Sequence, residues 1–88
     1  MRVTIRTDLV HLCPFRDEVD HGTLEASYDW EPPGKPPIEF HAFRTTLDQF
    51  REQKVTHEEL TAHLAREFRC RIVTTWTTAG MAITCEAG

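Results

Sequence analysis

The chain is poor in the features that announce common chemistries. Its four glycines, Gly22, Gly34, Gly80 and Gly88, are isolated, so there is no phosphate-cradling glycine loop and no dinucleotide fingerprint. No Ser-His-Asp signature is present. The ten Lys and Arg residues are scattered singly and the net charge is −4, which leaves no electrostatic footprint for sequence-independent nucleic-acid binding. Three cysteines, Cys13, Cys70 and Cys85, are odd in number and too sparse for a secreted disulfide scaffold. Five histidines are available, but none forms a His-x-x-x-His pair and no Cys-x-x-Cys occurs, which argues against zinc. No apolar run reaches membrane-spanning or signal-peptide length, so a cytoplasmic protein with reduced thiols and no membrane contact is expected.

What remains is an ordinary composition, 40% hydrophobic and 27% charged, in 88 residues. That is one domain, residues 1–88. So short a chain buries only about 60–65% of its unfolded surface, which makes self-association a natural remedy.

Hydrophobic periodicity orders the chain. Residues 2–12 alternate as a first strand, with Val3 and Ile5 against Thr4 and Arg6. From Thr23 to Trp30 the alternation is cleanest: Leu24, Ala26, Tyr28 and Trp30 share one face. Pro32 to Pro37 holds four prolines in six residues and can only be a stiff connector. Phe40, Phe43, Leu47 and Phe50 then recur at helical spacing. Lys54-Val55 interrupts, and Thr56 with Glu59 predicts a capping box opening a second helix with Leu60, Leu64 and Phe68 inward. Cys70, Ile72, Thr74 and Trp76 alternate, Ala79-Gly80 turns the chain, and Met81, Ile83 and Cys85 alternate again. The order ββααββ predicts an α+β fold, an antiparallel four-stranded sheet with two helices on one face. The bare face and the edge strands would need partners.

Chemistry concentrates in Cys13-Pro14-Phe15-Arg16-Asp17-Glu18-Val19-Asp20, which fills the first hairpin connection. A thiol and a carboxylic acid on one loop can run covalent chemistry, one attacking while the other moves the proton. As isolated residues, Cys13 reads as a small buried hydrophobe and Asp20 with His21 as a solvated turn. Cys70 and Cys85 fall in apolar register and read as core. Glu58, beside His57, reads as a first-turn carboxylate complementing the helix dipole. With Glu59 assigned to the cap, Glu58 is also free to accept two side-by-side N–H donors, as on a guanine-like edge.

These residues resemble the QueF-type nitrile reductases of queuosine biosynthesis, members of the tunnelling-fold (T-fold) superfamily. The family's Cys-Pro-x-Thr-Gly-Gln-Pro-Asp shares its Cys, Pro and Asp with Cys13, Pro14 and Asp20. The family's Glu-Ser-Lys-Ser-Leu-Lys is followed eighteen residues after its Glu by His-Glu, preceded by Ser-Phe-Arg. Here Glu39 leads through Gln49-Phe50-Arg51 to His57-Glu58 at the same interval. Trp76 to Ile83 is similar to the family's Phe-Thr-Pro-Arg-Gly-Gly-Ile-Ser-Ile.

The resemblance implies that Cys13 attacks the nitrile carbon of 7-cyano-7-deazaguanine to form a covalent thioimidate, with Asp20 as proton donor. It implies that Glu58 and His57 hold the deazaguanine edge and that Ile38, Glu39 and Phe40 line the same pocket. It further implies a homo-oligomeric barrel with sites between subunits. The family's cofactor motif has lysines where His41 and Arg44 stand and Ser where Phe40 stands, its Arg-Gly-Gly is reduced to Thr78-Ala79-Gly80, and the reductases' terminal extensions have no counterpart. These losses bring the chain nearer the short archaeosine-forming amidinotransferases, in which ammonia attacks the thioimidate and no cofactor is needed. The alternatives are NADPH-dependent reduction, a non-catalytic deazapurine-binding module, and a zinc-using T-fold enzyme. The base is expected free or carried in tRNA or DNA.

Overall fold

A computed structural model describes residues 1–88. Two long strands, β1 (Arg2–Leu12) and β2 (Val19–Asp29), form an antiparallel hairpin with eleven cross-strand pairs in unbroken register. Helices α1 (Phe40–Gln49) and α2 (His57–Phe68) follow, separated by a 3-10 turn at Phe50–Glu52. Strands β3 (Arg71–Thr78) and β4 (Met81–Ala87) close the chain, and the sheet order is β1-β2-β3-β4. The expected ββααββ sheet with two helices on one face is therefore the fold.

The core lies between that face and the helices. Leu9, Leu24, Ala26, Tyr28 and Ile72 rise from the strands to meet Phe43, Leu47, Leu60 and Leu64. Alternation with period 2 on the strands and spacing of three and four on the helices places all of these inward. Phe43 meets Phe68 edge to face at 4.8 Å, tying α1 to α2. The helix-free face is polar and carries the ion pairs Arg6–Glu25 (3.0 Å) and Arg71–Glu86 (2.9 Å). Both edge strands, β1 and β4, are open. No helix is long and apolar enough to cross a membrane.

Four sequence expectations are corrected. Strand β2 starts at Val19 and not at Thr23, so the hairpin connection shrinks to residues 13–18 and Asp20 lies within the strand. Phe40, assigned to the apolar stripe, is 60% exposed, whereas Phe43 in the same turn is buried at 2%. Cys85 is only half-buried, because β4 is an edge strand. Only half of the capping box forms: the Thr56 hydroxyl accepts from the Glu59 amide at 3.1 Å, with no return bond from the Glu59 carboxylate.

Two places in the backbone rest on small residues. The Ala79-Gly80 turn has positive φ at both positions (51° and 74°), the two-residue hairpin geometry that matches strand twist. At Gly22 a Cβ would come within 2.4 Å of the Thr75 carbonyl oxygen and 2.9 Å of the Trp76 Cβ. Here β2 and β3 approach too closely for any side chain. Gly22→Ala should cost about 1–3 kcal/mol in urea unfolding by forcing the strands apart; an unchanged midpoint would contradict this packing.

Candidate active site

The site forms where β1 and β2 meet their connection. Cys13 follows the last residue of β1, and its amide donates to the Glu18 carbonyl at 3.1 Å, closing the six-residue loop. As the second residue of β2, Asp20 sits directly across from His11. This brings the Cys13 sulfur and the carboxylate oxygens of Glu18 and Asp20 within 4.8 Å of one another. The thiol and acid that the sequence separates by seven positions are thus neighbours. Glu18 is exposed, whereas the Asp20 side chain is 11% exposed and turned to the helix side.

A strap delivers the start of α2 to the same corner. The Leu12 amide donates to the Gln53 carbonyl at 3.0 Å, and the Val55 amide donates to the Leu12 carbonyl at 3.2 Å. Residues Gln53–Val55 thus run alongside the residue before Cys13, and Thr56 opens α2 immediately afterwards. His57 and Glu58 are the first two residues of that helix. Glu58 is exposed, while His57 is buried at 2% exposure.

Behind Asp20 lies a buried polar row that the sequence did not reveal. His11 Nδ1 is 4.0 Å from Asp20 Oδ2, and His11 Nε2 is 3.2 Å from His57 Nδ1. The His57 ring stacks on Trp76 with centroids 4.0 Å apart and planes tilted by 24°. His57 Nε2 and Trp76 Nε1 have no partner in the fold. A buried polar atom without a partner costs about 1–3 kcal/mol, and such atoms mark places where a ligand or water completes a structure. Burial, then the neighbouring His11, holds the His57 pKa down to about 4.

The remaining expected residues are placed differently. Ile38 is 1% exposed inside the core, so its side chain cannot line an open pocket. Glu39 caps α1: its carboxylate accepts from the Ala42 amide at 2.7 Å and the His41 amide at 3.1 Å. Those amides, with the His41 ring, lower its pKa. Phe40 stands exposed beside it.

Three thiols differ in character. Burial raises the pKa of Cys70; burial and then the Glu58 charge raise that of Cys85, with Thr74 partly opposing. Both are thereby held as thiols. Cys13 alone has a carboxylate partner on its own hairpin. It opens into a depression of about 100 Å³ lined by Leu12, Arg16, Glu18, Val19 and Lys54. On the other side of the hairpin end, Asp20, His21, Trp76 and Thr78 border a groove of about 350 Å³. The largest depression, about 620 Å³ around Phe50, Val55 and His63, touches none of the candidate residues.

Known proteins resemble the chain over one stretch of sequence and in fold. No family model matches the chain. The NADPH-dependent 7-cyano-7-deazaguanine reductase of Prochlorococcus marinus (strain NATL2A) is 38% identical over 56 residues. That stretch is 64% of this chain but 38% of the reductase, so the chain spans well under half of its curated relative. The crystal structure of the archaeosine synthase QueF-Like in the apo form superimposes with a TM-score of 0.86 at 20% identity. The superposition covers 98% of this chain and 90% of that one. The fold is the QueF-like T-fold. The partial sequence match supports the QueF-like resemblance, and the superposition shows the shared fold.

A pH dependence follows from the buried row. Between about pH 6.5 and pH 4 the unfolded chain takes up a proton at His57 that the folded chain refuses. Stability is therefore whole above about pH 6.5 and falls as the pH drops, by up to about 3 kcal/mol near pH 4. Urea unfolding of wild type and His57→Phe at pH 7.5 and 4.5 checks this. The loss should shrink markedly in the variant, and equal losses would contradict it.

Proposed function

We propose that the protein acts on the nitrile of 7-cyano-7-deazaguanine, free or in a nucleic acid, through a covalent thioimidate on Cys13. The observation that carries the reading is the placement of the Cys13 sulfur within 4.8 Å of the Asp20 carboxylate. Asp20 takes the thiol proton as sulfur bonds to the nitrile carbon, then gives it to the nitrile nitrogen. The S–H bond breaks, one N–H bond forms, and the carbon–nitrogen triple bond becomes the double bond of the thioimidate. Glu58, exposed at the start of α2, would accept N–H donors from the deazaguanine edge.

Amination is the favoured second half. Ammonia adds to the thioimidate carbon, and collapse expels the Cys13 thiolate and leaves an amidine. The fold neighbour is an archaeosine synthase, which is consistent with this outcome. Reduction is the competing reading, since the sequence relative is an NADPH-dependent reductase. The basic residues of α1 give that cofactor little to hold. His41 lies 3.1 Å from the Glu39 carboxylate, and Arg44 is engaged by Asp48 at 3.7 Å and by the Thr7 hydroxyl. They form no phosphate cluster.

Self-association would complete the site. Cys13 lies at the end of an edge strand, and its depression of about 100 Å³ is shallow on a single chain. A second copy pairing along β1 or β4 would wall it and cover the open edge.

Intact mass after incubation with 7-cyano-7-deazaguanine tests the reading. Wild type should gain the mass of one nitrile, Cys13→Ala should gain none, and Asp20→Asn should react roughly a hundredfold more slowly. Ammonium should then release an amidine. Release of an amine with NADPH would favour reduction, and no adduct with wild type would leave only a deazapurine-binding module.

A further inference from the structure

His11 is buried at 1% exposure and has no part in the proton steps above. Its position is nonetheless specific. It pairs with Asp20 across the β1–β2 ladder, and both face the helices. Around its Nδ1 stand two oxygens, the Leu12 carbonyl at 3.4 Å and Asp20 Oδ2 at 4.0 Å. Around its Nε2 stands only Nδ1 of His57, at 3.2 Å.

A neutral imidazole carries one N–H and one lone pair, and its neighbours decide which nitrogen holds the proton. Oxygen acceptors surround His11 Nδ1, so the proton belongs there. Its Nε2 is then an acceptor, and His57 must supply the hydrogen of the 3.2 Å contact from its own Nδ1. The donors run in one direction, from His57 through His11 toward Asp20. His57 Nε2 is left as the bare lone pair, which agrees with its having no partner.

We propose that His11 is the positioning residue of this site: its Nδ1–H, with His57 donating to Nε2 behind it, steers the Asp20 carboxylate toward the Cys13 thiol. The inference rests on the reading of Cys13 and Asp20 as nucleophile and acid. The 4.0 Å separation closes to a hydrogen bond with a modest turn of the Asp20 carboxylate. The bond is strongest when Asp20 is ionised, before it takes the thiol proton and after it has passed that proton to the nitrile nitrogen. When Asp20 is protonated, His11 Nδ1–H remains satisfied by the Leu12 carbonyl. No proton leaves His11 at any stage.

A merely structural His11 would serve only to fill the core and satisfy His57, and two variants separate the roles. Asn at position 11 keeps an N–H donor where Nδ1 stands but cannot reach His57. Gln reaches His57 as an acceptor but gives up the donor toward Asp20. The rate of adduct formation with 7-cyano-7-deazaguanine, followed by intact mass, should stay within a few-fold of wild type in His11→Asn. In His11→Gln it should fall roughly ten- to a hundredfold. The opposite order would overturn the proposal. Imidazole 15N spectra of unliganded wild type give a second readout that needs neither substrate nor variants. Nδ1–H tautomers on both His11 and His57 are expected, and an Nε2–H tautomer on His11 overturns the proposal. If wild type forms no adduct yet shows those tautomers, the nitrile chemistry fails while the donor row stands.

Discussion

Cross-strand pairing of β1 with β2 is the constraint from which the site descends. Eleven consecutive pairs hold the register, and the loop that joins them is only six residues long. Side chains in a strand alternate between faces, so a slip of one residue would turn His11 and Asp20 apart. Held in register, they face the same side, on the second rung from the loop that carries Cys13. The Gln53–Val55 strap hydrogen-bonds to Leu12 and brings α2 to the same end. Gly22 lets β3 close against β2, which sets Trp76 over His57. Each of these contacts would be lost or displaced if the hairpin shifted.

Electrostatics then separate groups that are chemically alike. Of three thiols, two are held protonated by burial, one of them also by Glu58. The carboxylates near Cys13 differ as well. Glu18 projects into solvent, whereas Asp20 is largely enclosed and backed by imidazole. Enclosure in a low-dielectric corner strengthens interactions that water would weaken. Two imidazoles in contact are costly to bury unless their hydrogen bond is made, and here it is. The single bare nitrogen of His57 is the price of that geometry.

Much of the fold was legible because its periods are clean. Val3 and Ile5, Leu24 to Tyr28, Leu60 and Leu64 fall inward where alternation and helical spacing place them. The thiol and acid were legible by their spacing. The start of β2 was not, because Val19-Asp20-His21-Gly22 lacks apolar alternation; backbone pairing alone makes it a strand. Ile38 and Glu39 were read as pocket residues, yet one fills the core and the other caps a helix, since local backbone needs compete for the same side chains. His11 was missed for a different reason. Its meaning lies in contacts with Asp20 and with a residue forty-six positions away, and no local pattern reports such a contact.

The central claim is that this hairpin singles out one thiol of three for covalent attack. Peptide mapping of wild-type protein trapped with 7-cyano-7-deazaguanine tests it most directly. The label should be confined to the peptide carrying Cys13, with Cys70 and Cys85 recovered unmodified. Label on Cys85, in the opposite edge strand β4, would contradict the account.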